Sequence, residues 1–287
     1  MAFACEIALL PDFEWPVLYV GNGHVVKMKI VLLTLEASQI ETINALPVDL
    51  EKQLTALRSD GIAAVVLWED YWLGRKPIVQ SRLSAMLGIS AKIPARLTQA
   101  RRIDNATTDQ FLGYNHLNGV VSSKFRYGLF LPKRYYRVLP PEFAFDASAD
   151  ELLVAVATFS HARIFEQHGE PFRSHELIRF ASLLGTNVVG ALDKLLNAFI
   201  REKQPDDIMT YADLEWSDGR SYQRLGFEER GQMPPRNALV DPTRMQRAGK
   251  RTDVRHTPGQ EPIEYLTVFN LGSIKYVKTI KSASNEH

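Results

Sequence analysis

Cysteine is almost missing from this sequence: Cys5 is the single one in 287 residues. A lone cysteine excludes an internal disulfide and a cysteine-cluster zinc site, and it points to a reducing, cytoplasmic setting. An excess of either charge is missing too, since 34 Lys and Arg stand against 33 Asp and Glu, a net charge of +1. No global field draws the chain to nucleic acid, so any such binding has to come from a local patch. No apolar run reaches membrane-spanning length, and no membrane partner is expected. The apolar start lacks the basic flank and cleavage pattern of a signal peptide, so Met1 to Leu10 are expected to be structure. His161, His168 and His175 fall seven apart, which is no recognised ligand spacing, and Gly169 and Pro171 break any helix that would align them. No metal is expected.

What is present is ordinary for a soluble globular protein: 45% apolar and 23% charged residues. The length suits one large or two modest domains. Residues 1–95 read as a small α/β domain. Strands are expected at Glu6–Leu10, Val17–Val20 and Val25–Thr34, with a hairpin turn at Gly21-Asn22-Gly23. A helix follows over Ser38–Arg58, broken at Pro47. Gly61–Trp68 is an unbroken apolar run and reads as a buried strand, Lys76–Leu87 as a second helix, and Gly88–Ala95 as a linker.

A second domain is expected over residues 100–287. It opens with a helix at Ala106–Tyr114, capped by Asp104 or Asn105 and stopped by Gly119. Phe125–Leu131 and Leu152–Ser160 read as an antiparallel pair. The insert between them carries Lys133, Arg134, Tyr135, Tyr136 and Arg137, basic and aromatic side chains interleaved as in phosphate-tracking surfaces, though many exposed hairpins share that composition.

The stretch from Glu176 to Phe227 organises this domain. An apolar segment (Leu177, Ile178, Phe180) leads through the turn Gly185–Gly190 into a helix with Leu192, Leu195, Leu196, Phe199 and Ile200 on one face. Pro205 ends it, and Asp207–Asp213 reads as a strand parallel to the first, because a helix crosses between them. Ser221 to Phe227 is a short helix stopped by Gly226. Backbone N–H groups at the helix entrance (Val188, Val189, Gly190, Ala191, Leu192) are free to bind a phosphate. The alternative is a plain α/β unit whose glycines only permit close packing.

This segment resembles the coenzyme A loop and helix of GNAT-type acyltransferases, with the closing "Y..LGF" at Tyr222-Leu225-Gly226-Phe227. A longer series also matches, in order, a domain common at the C-terminus of phage and homing-type endonucleases. It comprises His116-Leu-Asn118-Gly119, Ser123-Lys124, Tyr127-Gly128-Leu129, Thr158-Phe159-Ser160 with Arg163, Glu176 to Phe180, Val188-Val189-Gly190, Tyr211-Ala212-Asp213 and Trp216 to Gly219. That domain is similar to the Mom DNA-modification proteins of phages, which convert adenine to an N6-carbamoylmethyl form. The resemblance implies a mixed α/β GNAT-like acyltransferase domain after a smaller α/β domain. It implies transfer to a nucleobase amine, adenine N6 first, by a phage- or prophage-encoded, anti-restriction protein in the bacterial cytoplasm.

Such a reaction needs a group to take the amine proton, a donor to the developing oxyanion and a clamp for the donor's phosphates. Asp213, at the end of the second strand, is the candidate base, with turn capping as its structural alternative. Tyr127 and Ser182 are candidate donors, and a Tyr, Ser and Asp set is what the Mom resemblance implies. Tyr222 joins the helix entrance in holding the donor, either a coenzyme A thioester or the 3′ end of an aminoacyl-tRNA. His116, Lys124, Arg163, Trp216, Arg244, Arg247 and Lys250 are candidate contacts to DNA, the last three lying in a basic segment with few acids, Gln232–Thr257. Trp68-Glu69-Asp70-Tyr71-Trp72 and the residues after it look like the end of a nuclease-like domain. No second carboxylate with a Glu-x-Lys partner lies upstream to hold magnesium, so a docking role with Glu69 and Asp70 capping a helix is expected instead. Two other classes remain: a non-catalytic nucleic-acid-binding module, and a conventional N-acetyltransferase acting on a small amine or a protein. Glu264–Phe269 and Ile274–Ile280 are expected to close the sheet as a hairpin.

Overall fold

A computed structural model describes residues 4–10, 15–22, 25–36, 46–167, 169–248 and 264–280. Strands β1 (Ala4–Ala8), β2 (Val17–Asn22) and β3 (Val25–Leu33) precede helix α1 (Leu46–Arg58), β4 (Ala63–Trp68), α2 (Glu69–Gly74) and α3 (Lys76–Met86). Then come β5 (Ala91–Pro94), β6 (Gln99–Arg102), α4 (Asn105–Asn115), β7 (Phe125–Pro132), β8 (Glu151–Phe159), β9 (Arg163–Gln167) and β10 (Glu170–Ser182). The chain continues through β11 (Thr186–Val189), α5 (Ala191–Lys203), β12 (Asp207–Asp213), α6 (Arg220–Arg224) and β13 (Glu228–Met233). It ends with β14 (Asn237–Asp241), β15 (Gln246–Ala248), β16 (Leu266–Phe269) and β17 (Ser273–Thr279). The architecture is mixed α/β, and no described helix is long and apolar enough to cross a membrane.

Two compact units share these elements. The first takes Met1–Val79, Ala212–Gly219 and Gly231–Ile274; the second takes Gln80–Tyr211, Arg220–Arg230 and Lys275–His287. In the first, β1-β2-β3-β4 form a sheet whose β3 and β4 run parallel from Met28↔Ala63 to Leu33↔Trp68. Helix α1 makes the crossover and buries Leu50, Leu54 and Leu57 at spacings of four and three, one face of a helix. Pro47 sits in its first turn, where the missing N–H has no helical partner to lose; residues 37–45, over which the expected helix was to begin, lie outside the described ones. The core joins Val31, Leu54, Val66 and Trp68 to Leu214, Val240, Val268, Phe269 and Leu271, residues from the far end of the chain.

In the second unit the sheet order is β13-β17-β12-β10-β8-β7-β6, with β9 folded onto β10. β6, β7, β8 and β10 are antiparallel neighbours, and β10 and β12 are parallel. α5 turns Leu195, Leu196 and Phe199 inward, and the Phe199 ring stacks on Phe159 with centroids 4.0 Å apart. Asp104 caps α4 by accepting the Thr107 N–H at 2.7 Å.

Three expectations are corrected. Gly88–Ala95 is not a bare linker, because residues 91–94 form β5, parallel to β11 from Thr186↔Ala91 to Val189↔Pro94. For the same reason the turn over Gly185–Gly190 is mostly strand, and its amides are partly spent in that ladder. The terminal hairpin does not form: β16 pairs with β14 in a three-stranded sheet, while β17 belongs to the large one.

Candidate active site

The parallel pairing of β10 and β12 is short, running from Ser174↔Asp207 to Glu176↔Met209. Beyond it the Thr210 hydroxyl donates to the Leu177 carbonyl at 3.0 Å, and among the described residues the ladder between the two strands ends at Glu176↔Met209. β10 shifts register against β8 between Leu177 and Arg179, an irregularity that bends a strand locally. Leu183 N–H donates to Val154 O on β8, so by antiparallel alternation the backbone groups of Phe180 and Ser182 face the opposite, open edge. Past the short ladder, β10 therefore carries backbone donors and acceptors on the edge that faces away from β8.

Helix α5 follows β10 and β11 in the chain and leads into β12. Its N-cap, Gly190, has φ +81°, a left-handed conformation that glycine adopts without strain, and no side chain caps the first amides. Lys194 N–H already donates to Gly190 O. The amides of Ala191, Leu192 and Asp193 therefore form the anion-facing turn, with Asp193 an opposing charge in it. Lys194 does not serve a ligand, since its ammonium is held by the Ala95 and Thr98 carbonyls. Ala191 and Val188 are buried, whereas Val189 and Gly190 are exposed.

Four side chains of this unit are electrostatically linked. Burial, aided by the charges of Arg179 and Arg82, pushes the His116 imidazole down to about 3, so it is neutral at physiological pH. Its Nδ1 accepts the Asn118 N–H at 3.1 Å, which leaves the proton on Nε2 as a donor. Burial raises the Tyr222 phenol, partly offset by its hydrogen bond with Thr210 and the charge of Arg82. Tyr222 packs on Tyr276 and edge-on to Phe227, with centroids 5.7 Å and 5.6 Å away. It is thus a fixed, protonated phenol in the unit that holds the open strand edge.

Of the three catalytic candidates, Ser182 alone belongs to the open edge of β10. Tyr127 is a core residue, its ring edge-on to Phe159 and Phe199, and its hydroxyl donates to Glu202 Oε2 at 2.6 Å. Burial first, and that bond second, keep the phenol raised. Glu202 is held down to about 2, chiefly by hydrogen bonds from Arg102. Ser182 is the half-buried last residue of β10, opposite Ala155. Asp213 lies in the first unit and caps a turn: its Oδ1 accepts the Glu215 N–H at 3.0 Å and its carbonyl accepts from Trp216 and Ser217. Trp216 is buried rather than offered to a substrate. Lys124, Arg163 and Arg244 are exposed, and Lys250 lies outside the described residues.

Arg247 is not a surface phosphate contact. It makes two hydrogen bonds to Asp70, 2.7 Å and 3.1 Å, inside the first unit, with its guanidinium 3.9 Å from the Tyr71 ring centroid. Asp70 is 1% exposed, so the pair is mutually required: the carboxylate expected to cap a helix neutralises a buried arginine instead. Glu69, in the first turn of α2, accepts the Leu35 N–H at 2.9 Å. Glu215, also 1% exposed, takes the Trp68 indole N–H at 3.0 Å. Burial, and then the charge of Asp213, lift Glu215 to about 8. Sequence reasoning missed Arg82, Glu202 and Glu215. Only the last left a trace, as a second carboxylate two residues beyond Asp213. Among the described residues no group of three or more His, Cys, Asp or Glu gathers to hold a metal.

No protein-family model and no curated protein matches this sequence. Among solved structures, the fold is similar to a chain of the NatC complex in a crystal structure with Gag peptide and CoA. The identity is 10%, 64% of this chain and 99% of that chain are covered, and the TM-score is 0.34. It is also similar to a structure described as histone acetyltransferase HPA2 and related acetyltransferase from Corynebacterium glutamicum, with 14% identity, 56% and 66% coverage and a TM-score of 0.29. Similarity of this extent assigns neither activity nor substrate.

Proposed function

We propose that the second unit transfers an acyl group from a coenzyme A thioester to an amine, and that the amine is that of a nucleobase, adenine N6 first. The observation that carries this reading is the end of the β10–β12 pairing at Glu176↔Met209, together with the uncapped start, at Gly190, of α5, the helix that connects the two strands. The open edge of β10 offers amides to an extended, amide-bearing chain, and the first turn of α5 offers three N–H groups to a phosphate. These are the two recognition problems that a pantetheine diphosphate poses. The strand, helix and parallel strand also follow the order for which the sequence resembles GNAT-type enzymes.

In the reaction the amine nitrogen attacks the thioester carbonyl, the C–S bond breaks, and the departing sulfur needs a proton. Tyr222 supplies it from its hydroxyl, and the phenolate recovers a proton from water, so the phenol is restored for the next turnover. His116 cannot take the amine proton, because Nδ1 is occupied and its pKa is depressed; Nε2–H is suited to orienting a carbonyl or a base edge. The amine proton passes to water. Adenine as acceptor rests on the resemblance of the ordered residues from His116 to Gly219 to the Mom proteins.

The test is incubation of the full chain with acetyl-coenzyme A and duplex DNA, followed by mass spectrometry of the nucleosides and a free-thiol assay. An acylated deoxyadenosine that disappears in Tyr222→Phe is the expected result. Thiol release with a polyamine or a peptide amine but unchanged nucleosides moves the acceptor to a small molecule or protein. No thiol release with any of these amines overturns acyl transfer.

A further inference from the structure

The second unit carries a cationic feature that acyl transfer does not use. Between β7 and β8 the chain forms a 3-10 helix at Lys133–Val138. Arg134 and Arg137, three residues apart on that turn, both lie over the Tyr135 ring, 4.9 Å and 5.6 Å from its centroid. Arg137 Nη1 donates to the Arg134 carbonyl at 2.8 Å, which fixes their spacing. The turn is anchored from beneath. Tyr136 donates its hydroxyl to Ala149 O at 3.0 Å and packs edge-on to Phe145 at 4.8 Å, while Lys133 N–H donates to Asp150 O at 2.8 Å.

Other arginines of this unit are neutralised: Arg101 by Glu151, Arg102 by Glu202, Arg230 by Glu228. Among the described residues no carboxylate lies within ion-pairing distance of Arg134, Arg137 or Lys133. Asp146 feels Lys133 only as a minor influence, its carboxylate being taken by Ser148. Two exposed guanidiniums held side by side repel each other, and a rigid turn that keeps them there is suited to an anion with evenly spaced charges. Their aromatic partner is covered by the cations themselves, so it stiffens them rather than offering a face to a base.

We infer that Lys133–Val138 is a contact for the phosphodiester backbone of duplex DNA, through Arg134 and Arg137. This names the partner surface of the nucleobase reading above and rests on it only for the choice of nucleic acid among anions. The contact is electrostatic and independent of sequence, and it adds to the salt dependence of binding.

The test measures fluorescence anisotropy of a labelled DNA duplex with the full chain from 50 to 300 mM salt, the variants being Arg134→Gln/Arg137→Gln and Arg230→Gln. Loss of two phosphate contacts lowers the slope of log K against log salt by about 1.8. Arg230→Gln, whose arginine is already paired with Glu228, leaves the slope unchanged. Circular dichroism shows both variants folded, since the side chains are exposed. An unchanged slope in the double variant overturns the inference, as does the absence of DNA binding with arginine-dependent binding to phosphatidylserine vesicles or polyglutamate instead. Should the double variant lose DNA binding while the parent makes no modified nucleoside, the contact stands and the catalytic reading falls.

Discussion

Asp70 and Arg247 illustrate how a charge can be misplaced by reading along the chain. Arg247 sits among basic residues, which suggests a solvated face, but its partner lies 177 positions earlier. Neither local composition nor periodicity carries such a pairing. Asp70→Ala leaves the guanidinium buried without its counter-charge, and the expected loss is about 3–5 kcal/mol of unfolding free energy, measured by urea titration. A loss below 1 kcal/mol, the range of exposed pairs, denies the pair this role. Glu215 yields a prediction with a definite sign. Its folded pKa, about 8, lies well above the ordinary 4.5 of a glutamate, so the folded state holds a proton that the unfolded state releases. The associated stability is complete below about pH 4.5 and is lost as pH rises through 8. Glu215→Gln keeps an acceptor for the Trp68 indole and removes the titration, so its melting temperature should fall less than the parent's between pH 5 and 8. Parallel curves for the two proteins refute the assignment.

At the scale of elements, α5 was legible because its apolar spacing, its glycine before and its proline after agree. The Asp104 cap was legible because an N-cap is a local hydrogen bond, from a side chain to an amide three residues on. β5 was not, since it is a strand only by virtue of β11, about ninety residues later, and a four-residue segment has no pattern of its own. The same remoteness hid β16 and β17, which look like a hairpin until their partners are known. Gly190 joins β11 to α5, and its left-handed φ sets the entry angle of the helix. An added Cβ there meets only the Ala95 methyl at 3.7 Å, so Gly190→Ala is a matter of backbone strain, about 1–2 kcal/mol by thermal melting. Gly190→Asp adds a carboxylate where the donor's phosphates are proposed to sit. Calorimetry with coenzyme A should show its binding lost while the fold persists; unchanged affinity puts the donor elsewhere.

At the scale of the whole molecule, the first unit is assembled from three separate stretches of chain. Its core includes Leu214, Val240, Val268, Phe269 and Leu271 alongside Leu54 and Trp68. Leu214 N–H donates to Gly272 O, and Arg58 reaches the Leu214 carbonyl at 3.0 Å. A fragment of residues 1–95, the span that reads as a domain by sequence, lacks those five apolar residues and should not fold. Heteronuclear NMR of that fragment with dispersed, protected amides would contradict this. Sequence order conceals such an arrangement, because a returning strand is indistinguishable from a continuing one until the sheet is known. The arrangement also sets a schedule. A ribosome adds roughly 5–20 residues per second, so tens of seconds at the slow end separate β4 from the strands that complete its core. Through that interval the apolar face of Val66 and Trp68 has only α1 and β3 beside it and lacks the cover of Leu214, Val240, Val268, Phe269 and Leu271. The nascent chain should therefore dwell on a holding chaperone until Leu271 has left the exit tunnel, and should collapse in a single late step rather than domain by domain.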